Sequence, residues 1–154
     1  MNPEIANPFY VATREVFRLM LDLEVQRGAD QLKLDGLANK KACVSIGIIG
    51  DLEGTIQYNF PESMTLEMVR IMSGMEMEVV DDFVASALNE IVNIISGNAM
   101  TGLFESDYTC DILPPTLELT EEMMEPHSNN VISLPLETII GPLRVEVDLR
   151  KKGA

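Results

Sequence analysis

Tryptophan is absent, histidine occurs once, cysteine twice, and only 11 basic residues stand against 25 acidic ones in the 154-residue chain. Each scarcity excludes a class of chemistry. The lone His127 sits in the polar stretch Glu125-Pro126-His127-Ser128-Asn129-Asn130 with no partner motif, which reads as a solvated loop and not as a catalytic base. Cys43 and Cys110 lie far apart without a CxxC or a Cys/His cluster, so they read as buried, reduced thiols, with no metal or redox role. With a formal charge of −14 and basic residues clustered only at Lys40-Lys41 and Arg150-Lys151-Lys152, the chain is unsuited to nucleic acid. A partner bearing a basic patch would instead be steered towards it.

Long hydrophobic runs are also missing. Asn and Gly interrupt the longest apolar stretches before they reach membrane-spanning length, and Met1-Asn2-Pro3-Glu4 lacks the basic and apolar regions of a signal peptide. The expectation is a soluble, cytoplasmic protein. What remains is 46% hydrophobic residues with no biased tract and no internal repeat. That composition fits one domain over 1–154, long enough to bury a core without disulfide, metal or cofactor of its own.

Asn7-Pro8 reads as an N-cap followed by the first helical position, and Ala12, Val16, Leu19, Met20 and Leu23 recur at helical spacing after it, with Gly28 at or beyond the end. Residues 42–49 and 55–58 are β-branched runs around Gly50-Asp51-Leu52-Glu53-Gly54, which predicts a hairpin whose first strand is central. Ser63 is placed to cap a second helix running to about Ser73, with Gly74 as a left-handed stop, and its Met64, Met68 and Met72 read as core filler. Asp81-Asp82 suit the positive end of a third and longest helix reaching about Phe104. Residues 109–113 read as a short strand stopped by Pro114-Pro115, residues 117–130 as an acidic irregular segment, and residues 131–136 with 143–149 as a second hairpin. The last strand alternates Leu143, Val145, Val147, Leu149 with Arg144, Glu146, Asp148, Arg150, one face buried and one solvated. Three helices on one face of a mostly antiparallel sheet built from two hairpins make an α+β domain.

The third helix, within "SALNEIVNIISGNAMTGL", carries an unusual stripe. Asp82, Ser86, Asn89, Glu90, Asn93 and Gly97 fall within an arc of roughly 100°, while Val84, Leu88, Ile91, Val92, Ile95 and Ala99 cover the other side. A merely solvated face would hold Lys, Arg, Glu or Gln, because Asn and Gly cost several tenths to about 1 kcal/mol each in a helix. No Lys or Arg occurs between Arg70 and Arg144. The short side chains of Ser86, Asn89, Asn93 and Gly97 leave a low surface suited to docking another protein. Asn98 falls nearer the apolar side and reads as a structural residue bonded to backbone.

Glu90-x-x-Asn93 in this setting resembles the signature helix of the CheC/CheX/FliY phosphatases of bacterial chemotaxis. The likeness extends to the Asn7-Pro8-Phe9 helix start, the Gly-bounded hairpin, the Met-rich second helix and the closing "ISLPLETIIGPLRVEVDL" hairpin. A second copy of the spacing, Glu4-Ile5-Ala6-Asn7, straddles a helix start and does not place both side chains on a regular helix. One motif in a chain of this length resembles the CheX branch. The resemblance implies hydrolysis of the aspartyl phosphate of a CheY-type response regulator. Asn93 would orient the attacking water and Glu90 would pair with a partner lysine, while Ser86, Asn89 and Gly97 would line the contact. It implies Mg²⁺ in the regulator and none in this chain. It also implies a homodimer, with the strand near 131–138 as an edge that extends the sheet across a two-fold axis. Two other readings stand beside it: a docking module that binds a regulator or flagellar switch component without hydrolysis, and an acid-base or metal site built on Asp81-Asp82 with the acids near 118–125.

Overall fold

The computed structural model describes residues 3–28, 40–120 and 131–153. The described chain opens with a 3-10 turn, Pro3–Ile5, that feeds directly into α1 (Asn7–Val16), which widens into a π-helical turn at Phe17–Leu21 and stops at Asp22 in the left-handed region. Asn7 is therefore not the cap. The 3-10 turn delivers Ala6 already in helical dihedrals, so no extended residue precedes the helix, and the Ala6 carbonyl accepts the N–H groups of Phe9 and Tyr10 at 3.1 and 3.3 Å.

A two-residue strand, β1 (Gln26–Arg27), precedes the first hairpin, β2 (Lys41–Gly50) and β3 (Leu52–Pro61). Val44 pairs with Tyr58 and Ile46 with Ile56, placing their apolar side chains on one face. α2 (Glu62–Ser73) starts straight off β3, with Pro61 in the cap position and the Glu62 N–H donating to the Lys40 carbonyl at 3.0 Å. That contact leaves Ser63 exposed inside the first turn, not capping it. Gly74 ends the helix at φ 75°, as its position after Ser73 implies. Met64 and Met68 are buried core residues, and Met72 packs partly against them.

α3 (Asp82–Glu105) is followed by two short strands, β4 (Cys110–Ile112) and β5 (Thr116–Thr120), and by the second hairpin, β6 (Ile132–Thr138) with β7 (Gly141–Lys151). The seven-stranded sheet runs β1-β6-β7-β3-β2-β4, with β5 also pairing β2, and every pairing is antiparallel. The architecture is α+β, with the apolar face of the sheet, including Tyr58, Phe60, Val145 and Val147, buried in one core with Phe9, Phe17 and the inner side of α3.

Further expectations change. Residues 116–120 form strand β5, held by β2 from Lys41 to Ser45, where irregular chain was expected; the rest of that stretch, with His127, lies outside the described residues. The strand 132–138 is not the edge, because β1 pairs with it at Leu136 and Glu137. The polar side of β7 is solvated only at Asp148 and Arg150. β7 is an inner strand, and Arg144 and Glu146 are hemmed by their cross-strand neighbours Asn59 and Ser133, leaving the two side chains 13% and 10% exposed. Lys41 and Asn59 are buried on the same face, and desolvation draws the Lys41 amine below the ordinary lysine range. Cys43 and Cys110 are unpaired and only partly buried, and burial pushes the Cys43 thiol up.

Candidate functional site

α3 forms because its apolar residues repeat at helical spacing and Asp81 caps it, the carboxylate accepting the Val84 N–H at 2.9 Å. Val84, Leu88, Ile91, Val92, Ile95, Ala99 and Leu103 are buried, so rotation of the helix about its axis is set by the core. One polar residue joins this inner side. Ser96 is fully buried and its hydroxyl lies 2.9 Å from that of Tyr58 on β3.

With that side committed, the stripe faces outward. Ser86 and Glu90 are exposed, while Asn89, Asn93 and Gly97 are partly buried. Ser86, Asn89, Glu90 and Asn93 line one side of a groove of about 620 Å³, and residues 112–115, Ile112-Leu113-Pro114-Pro115, line the other. Gly97 lies beyond this groove, and a Cβ added there would meet nothing within 4 Å. Asn98 departs from its expected role. It is exposed and lines a different cleft, of about 550 Å³, with Glu4, Asn7 and Pro8 of the α1 start. That cleft lies beside the point where α1 packs closest on α3, at Gly102, where a Cβ would stand 2.8 Å from Pro8 Cβ.

Glu90 and Asn93 are three residues apart on a regular helix, so their side chains rise side by side, with Cβ atoms about 5–6 Å apart. Among the described residues no cation pairs with Glu90 and no group hydrogen-bonds the Asn93 carboxamide. Asn89 Oδ1 is buried beside them with no hydrogen-bond partner. A free carboxylate can bind a cation, and a free carboxamide can donate and accept towards a water without adding charge. The segment opposite was invisible to periodicity. Its one sequence signal was Pro114-Pro115, which ends β4 and leaves two backbone positions without an N–H.

Among the described residues the rival acidic site does not assemble: Asp81 is engaged as a cap and Glu118 lies on β5, while the acids beyond Thr120 fall outside the described residues. Among the described residues no group of three or more His, Cys, Asp or Glu is placed to hold a metal ion, and no helix is long and apolar enough to cross a membrane.

Residues 42–137 match the family of the chemotaxis phosphatase CheX. The CheY-P phosphatase CheX of Thermotoga maritima is 26% identical over 137 residues, covering 88% of each chain. The chemotaxis protein CheX of Vibrio vulnificus superposes with a TM-score of 0.82 at 25% identity, over 96% of this chain and 99% of that one. The structure of a CheX-CheY-BeF3-Mg²⁺ complex from Borrelia burgdorferi matches with a TM-score of 0.71 at 25% identity, over 94% of this chain and 97% of that one.

Proposed function

Since the chain belongs to the CheX family of chemotaxis phosphatases, we propose that it hydrolyses the aspartyl phosphate of a CheY-type response regulator, with Glu90 and Asn93 as the residues that act on the docked partner. The observation that carries this reading is the pair itself, one turn apart, unpartnered, and at the edge of an open groove. The relatives named CheY-P phosphatase and CheX-CheY complex support the substrate class.

The regulator brings the acyl phosphate and, as in the Borrelia burgdorferi complex, Mg²⁺. What the phosphatase adds is position. The Asn93 carboxamide accepts a hydrogen bond from a water and directs its lone pair at phosphorus, in line with the bond to the aspartyl oxygen. The P–O bond to the aspartate breaks, and inorganic phosphate and a free carboxylate result. A neutral amide is suited here because a carboxylate would repel the incoming phosphoryl group. Glu90 pairs with a lysine of the regulator and so orients the docked pair, a charge-assisted bond of about 1.5–3 kcal/mol. Ser86 and Asn89 line the contact, and Gly97 continues its low surface past the groove. Two copies of the chain, each with its own site, form the working unit, an arrangement that light scattering on the purified protein would check.

Steady-state hydrolysis of a phosphorylated CheY-type regulator tests the roles. Asn93→Ala is expected to lower kcat about a hundredfold, the scale of a misplaced nucleophile, with little change in KM. Glu90→Ala is expected to act mainly on KM, by about tenfold or more. Full turnover by Asn93→Ala would remove the catalytic role of Asn93, and no hydrolysis by the parent protein would leave a docking module.

A further inference from the structure

Resting on the phosphatase reading, we infer that the bulge Leu113-Pro114-Pro115 is the specificity-determining rim of the docking groove, receiving an apolar side chain that the regulator presents beside the lysine bound by Glu90. The bulge is built by the sheet. β4 pairs with β2 from Ile48 to Gly50 and β5 pairs with it from Lys41 to Ser45, so residues 113–115 cross the gap outside both ladders. One contact pins the crossing: the Leu113 N–H donates to the Gly47 carbonyl at 2.8 Å. The Leu113 side chain is seated on Gly47, where even a Cβ would stand 2.8 Å from Leu113 Cδ1. Anchored there but still 45% exposed, Leu113 forms the rim opposite Glu90 and Asn93 together with Pro114, also exposed, and Pro115, partly buried.

Proline on an edge strand already has a use, since it blocks pairing with another chain. Here the same two residues, with Ile112 and Leu113, form the side of the groove that carries no charge, facing Glu90, the one charged side chain that lines it. An apolar wall across from a carboxylate lowers the local dielectric and strengthens the carboxylate's pairing with a cation once water is displaced. A bulge that re-aims chain beside a site is a recurrent device. The surface that fits both walls is a receiver-domain patch with a lysine flanked by an apolar residue, next to the phosphorylated aspartate. The chain's net charge of −14 favours a partner whose patch is cationic.

Two variants test the rim against a phosphorylated CheY-type regulator, with kcat and KM resolved and thermal unfolding as a check on folding. P114S/P115S, which makes the rim polar, is expected to raise KM about tenfold, equivalent to about 1.4 kcal/mol, with kcat within about twofold and a steeper dependence of KM on salt. Pro114→Arg, at an exposed position, adds bulk and a positive charge facing the incoming lysine and is expected to raise KM at least as much. Folded variants with an unchanged KM overturn the inference, and if Asn93→Ala still lowers kcat in the same assay the phosphatase reading survives it. A raised KM in both rim variants alongside full turnover by Asn93→Ala supports the rim and removes the catalytic role of Asn93.

Discussion

The Tyr58–Ser96 contact joins β3 to α3 one turn beyond Asn93, and a double-mutant cycle on it tests how the helix is held. Both side chains are fully buried and their oxygens lie 2.9 Å apart. Ser96→Ala leaves the Tyr58 hydroxyl in the core without a partner, and the desolvation penalty sets the cost at about 1–3 kcal/mol. Tyr58→Phe should cost less, about 0.5–1.5 kcal/mol, because the Ser96 hydroxyl can turn back to the carbonyl four residues earlier, that of Val92. Removing both groups leaves no orphan, so S96A/Y58F should be less destabilised than the sum of the singles by about 1–2 kcal/mol. Urea unfolding at constant m reads these differences, and each kcal/mol moves Tm by about 2–4 °C in a domain of this size. Burial also raises the Tyr58 phenol above its ordinary range, the bond to Ser96 opposing it only in part. Below the unfolded pKa of about 10 the phenol is neutral in both states and its contribution is complete; above it the unfolded chain ionises first, so stability falls as pH rises, by at most about 1.4 kcal/mol per unit. Tyr58→Phe should flatten that decline relative to the parent. Single-mutant costs that add to within about 0.3 kcal/mol, or an unchanged alkaline slope in Tyr58→Phe, would refute the reasoning.

Two glycines on α3 should respond in opposite directions to the same change. Gly97→Ala meets nothing within 4 Å and gains helix propensity, so it should raise stability by up to about 1 kcal/mol. Gly102→Ala drives a Cβ to 2.8 Å from Pro8 Cβ, so despite the same propensity gain it should lower stability by about 1–3 kcal/mol, read by the same urea titration. Asp81→Ala removes the cap that accepts the Val84 N–H and should cost about 1 kcal/mol, with Asp81→Asn recovering most of it in a thermal melt. Gly54→Ala should be far worse than any of these in soluble yield, because its Cβ would stand 1.9 Å from the Asp148 carbonyl oxygen at a φ of 152°.

The elements legible in the sequence are those whose pattern is long and one-sided. α3 combined 24 residues with a single apolar side, the last strand alternated clearly, and the first hairpin showed as two β-branched runs, although Leu52, Glu53 and Gly54, expected in its loop, belong to β3. β5 escaped because Thr116-Leu117-Glu118-Leu119-Thr120 is a five-residue edge strand whose leucines are only partly covered, and an acidic run follows it. β1 has two residues and no period at all. Asn7 and Ser63 are good capping types that went unused, since the preceding backbone arrived already helical in one case and straight off a strand in the other. The buried structural polar residue of α3 is Ser96 and not Asn98. Helical geometry places Ser96 on the inner side, but only the fold supplies Tyr58 to satisfy it, and only the α1–α3 crossing opens the cleft that leaves Asn98 exposed.

For the site itself the division is the same. The pairing of Glu90 with Asn93 and the low strip around them follow from spacing within a few turns of one helix, because a helix relates residues three and four apart whatever else the chain does. The groove does not follow from spacing. Its far wall comes from a segment between two edge strands, seated by Gly47 on β2, and those residues meet α3 only because antiparallel pairing brings distant stretches of chain to one edge of the sheet. Local periodicity put the two polar side chains on one face; the register of the sheet gave that face an opposite wall.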